Sequence, residues 1–495
     1  MDVITPQQTP DTHQELTPAT KSVVSRIPRP GVLAILALLT LVRGVLYLAI
    51  TPAWQGPDEP GHFEYVALLS ALGHIPKPRP DTESIPALTV AINDAARSQR
   101  FEQFQRPIDI QRLDEQSPPV LAGPREAGYQ TPIYYLMLLP FFTLVRSQTI
   151  LVQYYTLALT SVGLGVITVV AAAMTVRTLL PANRWAQLAV PLLVSFWPNQ
   201  SFMTTRINND NMATVLGALV FWAAAVIIRY GPRRWATLAL VGLLVLAANA
   251  KGTALFLLPV GVLAVALGVA GRSSERVRTV LIRFLLVLGT LVTIVALLAL
   301  FVPRVAGILL SLAQRMPAAS RGLSWIISVL QTFASGQQWQ AARLAENGAE
   351  SLYIIRSFWA VFGWGRYFLP QAWYFAAAAA AVIALAGWVK LLRPSARQAM
   401  GWGHAQWDTL AVMVVSIPLA CIPLAARMVF DPFTTFWHGR SLLPILVPVA
   451  VVLVLGWYQW IPAGWRAHAL QWFAAILVLL DAVSIALVLL PRFYQ

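Results

Sequence analysis

The sequence has few charged residues and only one cysteine. Asp, Glu, Lys and Arg make up 12% of its 495 residues, whereas 57% are hydrophobic. Soluble domains need more polar surface than this to cover their apolar residues, so the composition excludes a chain of soluble domains. The single cysteine, Cys421, excludes an intramolecular disulfide. The sequence also lacks a G-x-x-x-x-G-K-[ST] motif, which argues against an ATP-driven pump.

Long apolar runs fill most of the chain. A helix needs about 20 mostly apolar residues to cross a bilayer, and eleven runs meet or approach that length. They predict an all-α integral membrane protein whose transmembrane domain covers 31–495, after a disordered cytoplasmic tail over 1–30. The predicted spans are 31–51, 149–173, 186–203, 211–228, 235–250, 252–271, 279–301, 372–390, 407–427, 441–459 and 468–490.

The arginines predict the topology. The apolar run 132–145 is only fourteen residues long and contains Pro140, which favours an interfacial helix over a crossing. With the N-terminus inside, this choice places the arginine-rich loops in the cytoplasm, as the positive-inside rule requires. Two large extracytoplasmic segments result, 52–148 and 302–371. They contain predicted amphipathic helices over 86–105 and 305–333, with loops folded over helix ends as the alternative.

The first candidate site residues follow the first span, in WQGPDEPGHFEY at 54–65. A partly desolvated carboxylate, Asp58 or Glu59, can act there as a general base on a hydroxyl, with His62 nearby. The alternative is that one of the two carboxylates caps the next helix. The sequence predicts no certain cofactor; the same three residues could hold a divalent metal, but their spacing is a weak metal signal.

Further charges stand at the ends of other spans. Arg206 and Asp210 lie in a short turn, where they either line a polar site or pair with each other. Lys251, in ANAKGT, is suited to an anionic head group, with snorkelling to the interface as the alternative.

A last group of candidates lies near the tenth span and in the aromatic segment before the eighth. Arg440, with His438 nearby, suits a phosphate, although it could also anchor the helix end. Arg366 belongs to SFWAVFGWGRYFLP at 357–370, an aromatic segment that could line a groove for an acyl or prenyl chain. The predicted topology puts all these residues on one membrane face, where they could activate a hydroxyl and stabilise a departing phosphate.

Two charges fall inside predicted spans. Arg43 is in the first span and Asp481 is in the last. An unpaired charge at the centre of a bilayer costs about 3 kcal/mol on insertion scales. We therefore expect Arg43 and Asp481 to pair or to face a polar cavity.

Six motifs resemble those of an uncharacterised family of bacterial polytopic membrane proteins related to the GT-C glycosyltransferases. That superfamily includes protein O-mannosyltransferases and lipid A aminoarabinose transferases. In chain order the motifs are PDEPGHF (57–63), AGYQTPIYY (127–135), NND (208–210), ANAKGTALFLLP (248–259), SFWAVFGW (357–364) and HGRSLLP (438–444).

The resemblance implies a GT-C-like bundle in the bacterial cytoplasmic membrane, with juxtamembrane helices in its first extracytoplasmic loop. Its activity would be inverting transfer of a sugar from a polyprenyl-phosphate donor to an unknown hydroxyl acceptor, with membrane lipids as further partners and no nucleic acid. The catalytic positions would be Asp58, Glu59 and Asp210. Lys251 and Arg440 match the positions expected to hold the carrier's phosphate. With the candidates taken from the residues themselves, the predicted substrate-binding set is His62, Arg206, Lys251, Arg366, His438 and Arg440.

The main alternative is a secondary transporter or a lipid or glycolipid flippase of the cell envelope. Such proteins usually carry ionisable groups near the bilayer midplane, on broken helices, and consist of two related halves. A scaffold for a glycan assembly complex is a further alternative, but it would not need Asp58, Lys251 and Arg440 together.

Overall fold

The computed structural model of the chain is all-helical. It describes residues 30–76, 85–100, 130–271, 279, 352–391, 393–395, 400–430 and 438–494. Within these ranges, the chain forms helices and turns with a single β-bridge, between Phe362 and Tyr367. Eight of the described helices are long and apolar enough to cross a membrane. These helices indicate a multi-pass membrane protein, as the composition predicts.

The first half of the bundle contains eight helices. They are α1 (Pro30–Ile50), α2 (Glu59–Leu72), α3 (Pro86–Ser98), α4 (Ile133–Val145), α5 (Ile150–Leu179), α6 (Arg184–Ser195), α7 (Pro198–Met203) and α8 (Asn209–Tyr230).

Six further α-helices follow, and three of them are joined to short 3-10 or π-helical stretches. They are α9 (Arg234–Ala250), α10 (Leu257–Ala270), α11 (Gln371–Leu391), α12 (His404–Phe430), α13 (Leu446–Tyr458) and α14 (Arg466–Val483). The 3-10 helices Gly252–Phe256 and Gly439–Ile445 lead into α10 and α13, and α14 continues through a π-helical stretch, Ser484–Leu489. A short helix also covers 352–359.

One predicted span is not a single helix. The run 186–203 is divided between α6 and α7, because Pro198 cannot donate a backbone hydrogen bond and holds Trp197 in an extended conformation (φ −64°, ψ 116°). Helix α9 has 17 residues and is shorter than the eight candidate spans. The predicted tail 1–30, the span 279–301 and the helix 305–333 lie outside the described residues, save for residues 30 and 279.

Two shorter helices precede α5. Helix α3 buries Ile92 and Ala96 while Leu88 packs on the core, which confirms an amphipathic helix for the part of 86–105 that the structure describes. Helix α4 has 13 residues and contains Pro140. Its length of about 20 Å is too short for a membrane crossing, and it packs against α2 and α5.

Helix α8 forms the centre of the bundle. It packs against α5, α9 and α10. In its most apolar stretch 78% of the residues are buried, compared with 11% in the corresponding stretch of α11. The helix begins where the Asn208 side chain accepts a hydrogen bond from the Asp210 backbone N–H at 2.8 Å. This cap places the Asp210 carboxylate inside the bundle, at the end where α1 and α9 finish.

Candidate functional site

Four charged side chains from distant parts of the chain meet at one end of the bundle. Arg440 Nη2 lies 2.6 Å from Asp58 Oδ2, and Arg440 Nε lies 3.4 Å from Asp210 Oδ2. Lys251 Nζ lies 2.5 Å from Asp210 Oδ1. Asp58, Asp210, Lys251 and Arg440 are called the charge cluster below. Two carboxylates and two cations make the cluster neutral as a whole.

The four members of the charge cluster differ in exposure. The Asp58 side chain is 39% exposed, whereas those of Lys251 and Arg440 are 17% and 13% exposed. Asp210 is fully buried and contacts both cations. A ligand that approaches the charge cluster therefore meets Asp58 first, and Asp210 acts as the internal counter-charge that fixes Lys251 and Arg440.

Asp58 reaches Arg440 because its backbone is left-handed. Its φ is 62°, a conformation that costs of order 1–2 kcal/mol for a residue other than glycine. Asp58 occupies the N-cap position of α2, but its side chain makes no capping hydrogen bond. The preceding Pro57 carbonyl accepts hydrogen bonds from Asn208 Nδ2 at 3.1 Å and Arg440 Nη1 at 3.4 Å. These contacts hold the turn that directs Asp58 into the cluster.

Glu59, the next residue, points the other way and is fully buried. Its two carboxylate oxygens accept three hydrogen bonds, from Gly56 N at 2.8 Å, Tyr154 OH at 2.6 Å and Ile207 N at 2.9 Å. These bonds fasten the chain after α1 to α5 and to the turn before α8. The contacts of Glu59 are those of a structural anchor, and its predicted catalytic role stays a prediction.

Arg206 shares the environment of Glu59. Its Nη1 lies 3.9 Å from Glu59 Oε2 and donates to Tyr154 OH at 3.0 Å and to the Pro52 carbonyl at 3.1 Å. The alternative that Arg206 pairs with Asp210 is wrong, because Arg206 faces Glu59 while Asp210 binds the two cations of the cluster. The guanidinium of Arg206 and the carboxylate of Glu59 are both fully buried, and their contacts support the loop; the predicted substrate-binding role of Arg206 stays a prediction.

Two histidines flank the charge cluster, and each is oriented by a tyrosine. His62 Nδ1 lies 2.7 Å from Tyr135 OH, and His438 Nδ1 lies 2.9 Å from Tyr353 OH. The Tyr353 hydroxyl donates to the Gly365 carbonyl at 2.8 Å, so it accepts its bond from His438 Nδ1–H. The hydrogen-bond pattern therefore leaves His438 Nε2 unprotonated, as a hydrogen-bond acceptor.

Burial and neighbouring charges fix the protonation states around the site. Burial lowers the pKa of His62 to about 4 and that of His438 to about 3, so both are neutral at pH 7. Burial has the largest single effect on the pKa of Asp58 and would raise it, but the charge and hydrogen bond of Arg440, together with the other nearby positive charges, outweigh burial and lower that pKa to about 2. At neutral pH the site thus contains two ionised carboxylates, two cations and two neutral imidazoles.

The aromatic segment docks beside the loop that carries Asp58. The turn 362–367 contains two glycines with positive φ, Gly363 (60°) and Gly365 (79°), a conformation that other residues rarely adopt. At its tip Trp364 Nε1 donates to the Trp54 carbonyl at 2.9 Å. Arg366 is exposed at this turn, and its predicted substrate-binding role stays a prediction.

Sequence reasoning missed the polar partners that orient the site. Tyr154 is buried inside α5 and bonds both Glu59 and Arg206. Tyr135 and Tyr353 hold the two histidines, and Asn208 bonds the loop next to Asp58. The available signal was weak: a tyrosine or asparagine in an apolar run needs a hydrogen-bond partner when buried, but its spacing does not name that partner.

The described residues hold no group of three or more His, Cys, Asp or Glu side chains that could bind a metal ion. The possible divalent metal accordingly stays a prediction. The chain matches no model of a known protein family, and no match is found among curated proteins. The resemblance to GT-C relatives accordingly stays a prediction, and the function is argued from the geometry of the charge cluster.

Proposed function

We propose that the protein is a membrane glycosyltransferase that moves a sugar from a polyprenyl-phosphate donor to a hydroxyl acceptor with inversion. The observation that carries this proposal is the charge cluster, in which an accessible carboxylate pairs with Arg440 and a buried acid fixes both Arg440 and Lys251. Membrane-spanning helices around the cluster suit a donor whose isoprenoid chain stays in the bilayer. The positive-inside rule predicts that the arginine-rich loops face the cytoplasm, which favours an extracytoplasmic position for the charge cluster.

Asp58 is the proposed general base. In the reaction, the acceptor oxygen forms a bond to the anomeric carbon, the bond from that carbon to the phosphate oxygen breaks, and Asp58 accepts the hydroxyl proton. Attack opposite the leaving phosphate inverts the anomeric configuration. The Arg440 guanidinium now keeps the pKa of Asp58 at about 2, which makes it a weak base. A donor phosphate that competes for Arg440 would free Asp58 and raise its pKa.

Lys251 and Arg440 are the proposed ligands of the phosphate. Negative charge grows on the leaving polyprenyl phosphate in the transition state, and fixed cations stabilise it most when they need not move. Asp210 supplies that fixation by contacting both cations from a fully buried position. In this scheme Asp210 is a positioning residue, whereas the resemblance implied a catalytic one.

The proposal is tested with purified protein and a panel of polyprenyl-phosphate sugars. We expect Asp58→Asn to lower turnover by about 10²- to 10⁴-fold, the usual contribution of a general base, while donor binding persists. Lys251→Ala and Arg440→Ala should mainly weaken donor binding. Arg233→Ala, in the exposed turn at the other end of α8, is the control. Unchanged turnover in Asp58→Asn, or no transfer from any donor by the unmodified protein, would contradict the proposal.

A secondary transporter or flippase is the second candidate. The observation in its favour is a buried ion pair inside two spans, Arg43 with Asp481, next to the interrupted segment at Pro198. Ionisable groups on broken helices are typical of transporters. Flux of a labelled glycolipid into protein-containing liposomes, at a rate that Asp58→Asn leaves unchanged, would favour this candidate over the transferase.

A further inference from the structure

An ion pair joins the first and last membrane-spanning helices. Arg43 Nε lies 3.0 Å from Asp481 Oδ2, and Arg43 Nη2 lies 2.5 Å from Asp481 Oδ1. Tyr47 OH also donates to Asp481 Oδ1, at 2.7 Å. Of the two arrangements expected for Arg43 and Asp481, a pair or a polar cavity, the structure shows the pair. The pair is bidentate and buried, so it defines the relative position of α1 and α14 closely.

The remaining donors of Arg43 bind the interruption between α6 and α7. Arg43 Nη1 donates to the carbonyl of Ser195, the last residue of α6, and Arg43 Nη2 donates to Ser201 Oγ of α7 at 3.0 Å. Ser201 Oγ itself lies 3.2 Å from the Ser195 carbonyl. A cation at the C-terminal end of a helix is favoured both by the free carbonyl and by the helix dipole. One guanidinium thus holds both sides of the break.

Helix α7 connects this break to the charge cluster. It has six residues, about 9 Å in length, and leads directly into the turn before α8, whose second residue is Asp210. The same helix packs against the 3-10 helix Gly439–Ile445, which carries Arg440. A shift of α7 would therefore move two of the four charged groups of the cluster relative to Asp58.

We propose that Arg43 is a positioning residue for the charge cluster, which acts by fixing the break between α6 and α7. Its contacts with Ser195, Ser201 and Asp481 use all three guanidinium nitrogens. A misplacement of reacting groups by about 1 Å can lower the rate 10²-fold. Arg43 can therefore control turnover through the position of α7, although it is not a member of the charge cluster. The effect on turnover rests on the proposed transferase function, whereas the effect on the structure of α7 does not.

The test compares Arg43→Lys with Arg229→Lys by hydrogen–deuterium exchange. Lysine at position 43 keeps a charge for Asp481, but a single ammonium cannot bind all the partners of the guanidinium. We expect faster exchange over 196–210 with no change over 234–250, and at least a tenfold loss of turnover. Arg229 is the matched control because it also donates to a helix-end carbonyl, that of Thr178, away from the cluster. Its lysine variant should leave both readouts unchanged.

A second variant separates the proposed effect from misfolding. Ser201→Ala removes only one of the Arg43 contacts, and the same local rise in exchange is expected with a smaller loss of turnover. Unchanged exchange over 196–210 in both variants overturns the proposal. An equal rise over 196–210 and 234–250 also overturns it, because it would mean general destabilisation. Selective exchange in a protein without transferase activity would support the role of Arg43 and refute the transferase.

Discussion

Adjacent acidic residues in this protein have opposite environments. Asp58 is partly exposed and pairs with Arg440, whereas Glu59 is fully buried among three hydrogen-bond donors. The left-handed backbone at Asp58 causes this divergence, since it turns one side chain toward the charge cluster and the next into the core. The sequence predicts an acidic pair at a helix start, but it cannot tell which carboxylate faces a ligand because the backbone conformation is set by tertiary contacts.

The two carboxylates should respond differently to removal of their charge. We expect Glu59→Gln to lower the free energy of unfolding by about 1–3 kcal/mol, since the amide leaves buried donors and the Arg206 charge without a full partner. Asp58→Asn should change it by less than about 1 kcal/mol, because Asp58 is partly exposed and asparagine tolerates the left-handed conformation. Thermal unfolding of the detergent-solubilised proteins measures both; equal losses would contradict this assignment.

At the scale of helices, close packing of α11 on α13 depends on two glycines. A Cβ atom on Gly456 would collide with the Ala384 carbonyl, and one on Gly387 would collide with the Gly456 carbonyl. Both obstacles are backbone atoms, so the helices would have to move apart. Small residues that allow such contact are typical of helix pairs in membranes, where dispersion forces and not hydrophobic burial hold helices together.

Substitution at this contact should destabilise the bundle. We expect Gly456→Ala to lower the free energy of unfolding by about 1–3 kcal/mol, the usual cost of overpacking. Gly163→Ala is the matched control, because it lies in α5 with no atom within 4 Å of the added Cβ. That variant should be neutral or slightly stabilised, since alanine is the better helix former. A denaturant titration of both variants measures these changes. Equal changes in the free energy of unfolding would contradict the packing argument.

Helix boundaries were predictable from the sequence wherever apolar length decided them. The spans around α1, α5, α8 and α10 follow directly from the apolar runs. The run 186–203 was long enough for a span, yet Pro198 and the polar residues after it divide it into two helices. The proline was visible in the sequence; the stabilising contact from Arg43 was not, because it comes from a helix about 150 residues away.

At the scale of the whole molecule, the charge cluster marks one end of the bundle. Helix α8 starts at the cluster and ends at Tyr230, so the arginine-rich turn before α9 lies at the opposite end. The positive-inside rule predicts that this turn faces the cytoplasm and the cluster the outside. The sequence predicted the grouping of Asp58, Lys251 and Arg440 at one end, but not their pairwise contacts, which depend on side-chain geometry.

Single-cysteine labelling tests this orientation. On a Cys421→Ser background, we expect His74→Cys to react with a membrane-impermeant maleimide in intact cells. Arg233→Cys should react only after permeabilisation. Both positions are exposed, and the predicted topology places them on opposite sides of the membrane. The reverse pattern would move the charge cluster to the cytoplasmic face and exclude an extracytoplasmic donor.

The neutrality of the charge cluster affects how it would bind a negatively charged ligand. Two carboxylates and two cations balance in a mostly buried site, so the empty protein requires no counter-ion there. If the ligand is the proposed phosphodiester donor, its entry would bring one surplus negative charge into surroundings of low dielectric constant, where such a surplus is costly. Uptake of a proton or of a cation from the medium would restore the balance. Occupancy would thereby be linked to the ionic composition of the compartment into which the site opens.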